Sequence, residues 1–201
     1  PEAMKLEVQQ AFRRQMHKQR KEHVSHIGVV FGQRSQLWWD TPVMDSFHLL
    51  RDIYRVRESD FKRRLEELTG MLDAQALLHV PVRQLSLGQR MKCELIAALL
   101  HDPEILFLDE PTTYLDIAHQ QEMMRLVKKL NRESGIGVVM VLHDLSHAME
   151  VSDWVVVIKD GQKYDEGRPE DVITARMMRD VYDVDCDIIT IPGREKPLIA
   201  Y

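Results

Sequence analysis

The chain has 201 residues, 44% hydrophobic and 29% charged, the composition of a globular domain with a sizeable core, which excludes a wholly disordered chain. No apolar run reaches the length of a membrane-spanning helix, the first 26 residues are polar and mixed in charge, unlike a secretory leader, and two cysteines, Cys93 and Cys186, exclude a disulfide framework and predict a reducing compartment. The net charge of −5 argues against a nucleic-acid-binding domain built on a basic face; residues 1–100 hold 16 Lys+Arg and 12 Asp+Glu (+4), residues 101–201 hold 11 and 20 (−9).

In chain order, residues 1–23 read as a surface helix, with Leu6, Val8, Phe12 and Met16 set among basic residues. His26–Phe31 is a short apolar run ending at Gly32, a buried strand. Residues 45–80 are expected to be helical, with Phe61, Leu65, Leu68 and Leu72 on one face and Gly70 as a local weakness. Ser86 is a good N-cap for a helix continuing through Met91–Leu100. Ile105–Leu108 is a buried strand running into Asp109-Glu110-Pro111. An amphipathic helix over 117–133 buries Met123, Leu126, Val127 and Leu130 and ends at Gly135 and Gly137. Val138–Leu142 is a further strand, followed by a helix at 144–151 and a strand at Trp154–Ile158. Asp160-Gly161 signals a hairpin turn. A helix over Pro169–Tyr182 and a strand over Asp187–Ile191 complete the chain. Alternating strands and helices predict an α/β fold with a mostly parallel sheet covered on both faces.

The strongest motif is ILFLDEPT, Ile105–Thr112. An apolar strand delivers two adjacent carboxylates at its C-terminal end, the edge where open α/β sheets bind ligands. Asp109 suits Mg²⁺, and Glu110 suits orienting or deprotonating a water that attacks a phosphate. Upstream, LSLGQR (Leu85–Arg90) puts a serine and a glycine at a helix start, where free N–H groups and the helix dipole favour phosphate. VLHD (Val141–Asp144) sets His143 just past another strand, and Gln33 follows the first strand in the same way. Singly, a capped helix start, a post-strand histidine and a post-strand glutamine are ordinary structural features; their order is what discriminates.

That order, Gln33, LSLGQ, LDEP, Leu115-Asp116 and His143, resembles the ATP-binding-cassette family, the nucleotide-binding domains of ABC transporters, over roughly residues 26–191. The resemblance implies a P-loop NTPase cassette: an N-terminal helical segment at 1–26, then an ATP-binding domain at 27–201 with a helical subdomain at about 40–100. It implies ATP and Mg²⁺ as cofactors and ATP hydrolysis coupled to transport. Gln33 resembles the glutamine that senses Mg²⁺ and touches the membrane partner. Ser86, Leu87, Gly88 and Gln89 resemble the signature that closes over the γ-phosphate held by the opposite subunit. Asp109 is similar to the magnesium aspartate and Glu110 to the catalytic glutamate. Asp116 resembles the aspartate of the loop crossing the dimer interface, and His143 the switch histidine at the γ-phosphate. Implied partners are transmembrane permease subunits and a second ATP-binding subunit, as a homodimer, with no nucleic acid; the implied location is peripheral, on the cytoplasmic face of the cell membrane. Trp38 and Trp39 suit either the permease-docking groove or the core of the helical subdomain.

Two departures stand out. None of the nine glycines fits the phosphate loop G-x-x-x-x-G-K-[ST], and Gln33 leaves too little chain upstream for that loop at the family's spacing. The aromatic residue that stacks on adenine and the small β hairpin before the Gln33 strand are missing too. With Pro1 at the start, a piece of a longer chain is expected, against a degenerate cassette that only docks or regulates. Leu87 stands where the commonest signature has glycine. The second departure is that residues 27–111 resemble the drug- and polysaccharide-exporter branch, whereas residues 112–201 resemble ATPases of iron(III)-siderophore and vitamin B12 importers. A recombinant chain and a single lineage with both sets of features each account for this; the detail of residues 112–150 favours import.

Overall fold

The structure, a computed structural model, describes residues 24–32, 34–193 and 196–200; the helix expected over 1–23 and the side chain of Gln33 lie outside them. The chain forms two compact units, divided between Val141 and Leu142.

The first unit is built on three strands, β1 (Ile27–Phe31), β2 (Ile105–Asp109) and β3 (Gly137–Val141), each emerging from the short apolar runs read in the sequence. They pair in parallel in the order β1-β2-β3. Ile27, Ile105 and Gly137 are in register at one end, and Phe31, Asp109 and Val141 at the other. The strands therefore finish level, and the residues that follow β1 and β2 emerge along one edge. Side chains alternate across the sheet. Val30, Leu106 and Leu108 are at most 1% exposed, whereas Phe107 is 38% and Val141 51% exposed. The expectation of cover on both faces is thus corrected: among the described residues one face is packed and the other shows its apolar side chains.

The stretch expected to be helical over 45–80 is two helices, α1 (Val43–Tyr54) and α2 (Glu58–Leu72), followed by short turns. Arg55 breaks it by adopting a left-handed φ of 55°, its N–H bonding back to α1 carbonyls. No glycine or proline marks that break. Arg51 spans it instead, pairing with Asp52 at 2.8 Å and Glu58 at 2.6 Å. Gly70 does not interrupt α2, which ends at Asp73. Helix α3 (Leu87–Leu99) carries the fully buried Leu95, Ile96 and Leu99, and both α1 and α2 pack on it. It also lies against β1 so closely that a Cβ at Gly28 would sit 2.5 Å from the Ala98 carbonyl oxygen. Helix α4 (Ile117–Ser134) buries Met123, Val127 and Leu130, and Gly135, with φ 67°, closes it. That left-handed end is the conformation glycine adopts without a Cβ penalty.

In the second unit Asp144 caps a short helix, α5 (Leu145–Val151). Strands β4 (Val155–Lys159) and β5 (Gln162–Gly167) form an antiparallel hairpin. It turns at Asp160 and Gly161, both with positive φ, as a two-residue turn matching strand twist requires. The helix expected over Pro169–Tyr182 is interrupted. It becomes α6 (Pro169–Val172), α7 (Ala175–Met177) and a wider turn over Met178–Tyr182. Thr174 is the reason: its hydroxyl accepts from the Met177 N–H at 3.1 Å and starts a new helix. The final expected strand is β6 (Asp187–Ile189), paired antiparallel with β7 (Leu198–Ala200). Met149, Ile173, Met177 and Met178 form this unit's core.

Candidate functional site

Strand β2 is the central strand, flanked on both sides, so its backbone is fully paired and its end is held in place. Asp109 is its last residue. Glu110 follows with φ 50°, left-handed for a residue with a Cβ, a conformation costing on the order of 1–3 kcal/mol unless the surroundings impose it. They do. The Glu110 N–H donates to the Val141 carbonyl at 3.2 Å, its carbonyl accepts from the Thr113 N–H at 3.2 Å, and the Thr113 hydroxyl donates to its carboxylate at 3.1 Å. The turn lifts the Glu110 carboxylate out of the strand line beside that of Asp109.

Gly32 completes the edge. Its N–H donates to the Asp109 carbonyl at 2.8 Å. A Cβ there would lie 2.6 Å from the Glu110 carbonyl oxygen and 3.0 Å from that of Asp109. Only glycine lets the chain leaving β1 pass this close. The result is a cleft of about 330 Å³ lined by Phe31, Gly32, Arg34, Asp109 and Glu110. Arg34 is absent from the residues singled out in the sequence. The signal for it was its place directly after Gln33 at the end of β1, a cation delivered to the same edge as two carboxylates.

The signature turn is a separate place; none of Ser86–Gln89 lines that cleft. Ser86 is the N-cap of α3, as its type suggested. Its hydroxyl accepts from the Gln89 backbone N–H at 3.2 Å, and the Gln89 side-chain oxygen Oε1 accepts from the Ser86 N–H at 2.9 Å. This reciprocal box satisfies two donors of the helix start, leaving the Leu87 and Gly88 N–H groups, among the described residues, without an acceptor. The carboxylate of Asp116 caps α4, accepting from the His119 N–H at 2.9 Å and pairing with the His119 ring Nδ1 at 2.7 Å. Those bonds, first the backbone one and then the ring, hold the Asp116 carboxyl below its ordinary range. His119 in turn lies on the signature, because a Cβ at Gly88 would be 2.6 Å from its Cδ2. One turn along both helices, Lys92 pairs with Glu122 at 2.8 Å. Sequence reasoning placed Asp116 and Gly88 in separate motifs and did not see that His119 joins them; its (i, i+3) spacing from an N-cap aspartate was the available hint.

His143 is exposed on the turn between β3 and the Asp144 cap, in the second unit. Among the described residues no group of three or more His, Cys, Asp or Glu is arranged to hold a metal ion; the carboxylates that line the cleft at the end of β2 are those of Asp109 and Glu110.

The Gly88 contact makes a direct prediction. Gly88→Ala is expected to destabilise the chain by about 1 kcal/mol or less, because the half-exposed His119 ring can give way and alanine regains helix propensity. In a His119→Ala background the same substitution is expected to be neutral or stabilising, by up to about 1 kcal/mol, as alanine favours a helix over glycine. A double-mutant cycle in urea checks it; equal costs in both backgrounds would remove the contact as the cause.

The profile of the ABC transporter family matches residues 3–113. The iron(3+)-hydroxamate import ATP-binding protein FhuC of Bacillus subtilis (strain 168) is 41% identical over 137 residues, covering 68% of this chain and 49% of that protein. The hemin import ATP-binding protein HmuV of Escherichia coli O157:H7 is 32% identical over 178 residues, covering 86% of this chain and 69% of that protein. Likeness to an import subunit therefore extends upstream of residue 112. Among solved structures, cbiO1 from Clostridium perfringens, part of the ABC transporter complex cbiONQ, superposes with a TM-score of 0.68 at 26% identity, covering 77% of this chain and 61% of that one. The chain spans about half the length of the first of these relatives. The family match over more than half of the chain agrees with the parallel strand that ends in Asp109-Glu110 and with the capped LSLGQ turn, and the chain belongs to the ABC transporter family.

Proposed function

We propose that this chain belongs to an ATP-binding subunit of an importer for iron(III)-siderophore complexes, coupling ATP hydrolysis to transport. The observation that carries the chemistry is the Asp109–Glu110 pair, held at the level end of a central strand and facing an open cleft beside Arg34. The import direction rests on the relatives, named for iron-hydroxamate and hemin import.

The residues present fit a hydrated divalent cation and one side of a nucleotide site. Mg²⁺ and ATP, when bound, supply the phosphoryl group to be transferred and the charge that neutralises its oxygens. Asp109 holds the cation, directly or through water. Glu110, its carboxylate steadied by Thr113, orients the attacking water and takes its proton at a carboxylate oxygen. Arg34 adds positive charge to a cleft otherwise lined by two carboxylates. The open N–H groups of Leu87 and Gly88, at the positive end of α3, face phosphate presented by a second ATP-binding subunit, while Ser86 and Gln89 fix the turn that aims them. Asp116 acts through His119 on that same turn. From the family resemblance, Gln33 adds a polar contact to the cation, and His143 contacts the γ-phosphate. The partners are permease subunits and a second copy of the subunit, which holds the protein peripherally at the cytoplasmic face; among the described residues no helix is long and apolar enough to cross a membrane.

Deleting the gene in its host is expected to abolish most uptake of radiolabelled iron(III)-hydroxamate complexes, with restoration by the intact gene. Unchanged uptake together with lost drug or polysaccharide export would transfer the assignment to the exporter branch that residues 27–111 resemble.

A further inference from the structure

Helix α3 is apolar along its buried side except for one residue. Glu94 is 3% exposed, among Leu95, Ile96, Ala97 and Ala98. A buried carboxylate is costly unless hydrogen-bonded, and packing alone would be served by leucine. Its bonding partners lie in the irregular segment between β1 and α1. The Ser35 hydroxyl donates to one carboxylate oxygen, and the Gln36 N–H donates to the other at 3.2 Å. The rest of that segment is moored as firmly. The Gln36 side-chain N–H donates to the Val29 carbonyl at 2.7 Å, and the Trp38 N–H donates to the hydroxyl of buried Ser46 at 2.9 Å. Arg90, from the first turns of α3, lies over the Trp39 ring at 5.8 Å, close enough for a cation–π contact. The mooring ends in two adjacent aromatic side chains that are half exposed, Trp38 at 51% and Trp39 at 53%.

We propose that Glu94 is a positioning residue that locks the Ser35–Trp39 segment to helix α3, so that the exposed tryptophan pair and the Ser86–Gln89 turn move as one body. Displacing the tryptophans then displaces the turn whose N–H groups face phosphate. The functional meaning of that movement rests on the reading of Ser86–Gln89 given above; the mechanical linkage does not.

Hydrogen–deuterium exchange on the 201-residue chain tests it, with Ser35→Ala, Ser35→Thr and Glu94→Gln beside the parent. Ser35→Ala removes one bond to a charged acceptor from the surface side, without opening the core. We expect exchange to rise about tenfold or more, the equivalent of losing one charge-assisted bond, both in peptides over 35–41 and in peptides over 86–90. Peptides from α2 and α4 are expected to be unchanged. Ser35→Thr keeps the hydroxyl and is expected to restore both segments, which a general loosening would not show. Glu94→Gln keeps the volume and is expected to behave like Ser35→Ala. A rise confined to 35–41, or no rise in either segment, overturns the proposal. A separate titration with an intact ATP-binding subunit loaded with Mg-ATP, followed at the Leu87 and Gly88 amides, reports on the phosphate reading alone: protection there supports it and unchanged amides reject it, so the two fail distinguishably.

Discussion

Glu110→Gln is expected to abolish ATP hydrolysis in the ATP-hydrolysing subunit of the proposed function, while leaving nucleotide binding in place. Glutamine keeps the side chain's shape and one acceptor for the Thr113 hydroxyl, which now donates to the carboxylate at 3.1 Å, so the left-handed turn at residue 110 is preserved. It cannot take a proton from water. The expected loss is on the order of 10²- to 10⁴-fold in rate, the range for removing a general base. Because binding survives and turnover does not, ATP-bound dimers should accumulate, visible by size-exclusion chromatography. Phosphate release within a few-fold of the parent would reject the role assigned to Glu110. A loss of binding equal to the loss of rate would instead mean that the carboxylate holds the nucleotide's cation and that Asp109 does not suffice.

The second expected result concerns the 201-residue chain by itself: it should bind Mg-ATP more weakly than about millimolar and not hydrolyse it. A triphosphate is held in this family by loop N–H groups and a lysine, and the sequence has no G-x-x-x-x-G-K-[ST]. The cleft at β2 offers two carboxylates and one arginine, so it favours phosphate only when a cation bridges the carboxylates. The Leu87 and Gly88 N–H groups lie outside that cleft, and in the proposed function they meet only phosphate held by a partner. Each charge-assisted bond absent costs roughly 1.5–3 kcal/mol. Two or three such losses take a micromolar site to millimolar or beyond, since about 1.4 kcal/mol is tenfold. Isothermal titration calorimetry checks this directly. A dissociation constant in the low micromolar range would locate a phosphate site outside the residues named here.

Both expectations depend on residues legible in the sequence, and the structure adds what those residues lean on. Asp109 and Glu110 were evident from an apolar run ending in two carboxylates. That Glu110 sits in a left-handed turn, tied to Val141 and Thr113, was not, because such a φ arises from the pairing of β2 with β3 and from no local residue preference. Ser86 was evident as an N-cap from its residue type, and the structure supplies the reciprocal Gln89 bond that the S-x-x-Q spacing permits.

Features governed by near neighbours are legible without the fold. These are the apolar runs that became β1, β2 and β3, the 3.6-residue stripe of α4, the Asp160-Gly161 turn and the glycine end at Gly135. Each follows from side-chain period or from backbone freedom within a few residues. The tertiary structure alone decided three others. Arg55 turns left-handed and breaks the predicted long helix, and Arg51 pairs with Glu58 across the gap. Arg34 joins the carboxylate pair because β1 and β2 end in register. Glu94 is buried because Ser35 and Gln36, almost sixty residues earlier, bring it their donors. In each the deciding partner lies on another element, so its effect is set by how those elements pack and has no periodicity to betray it.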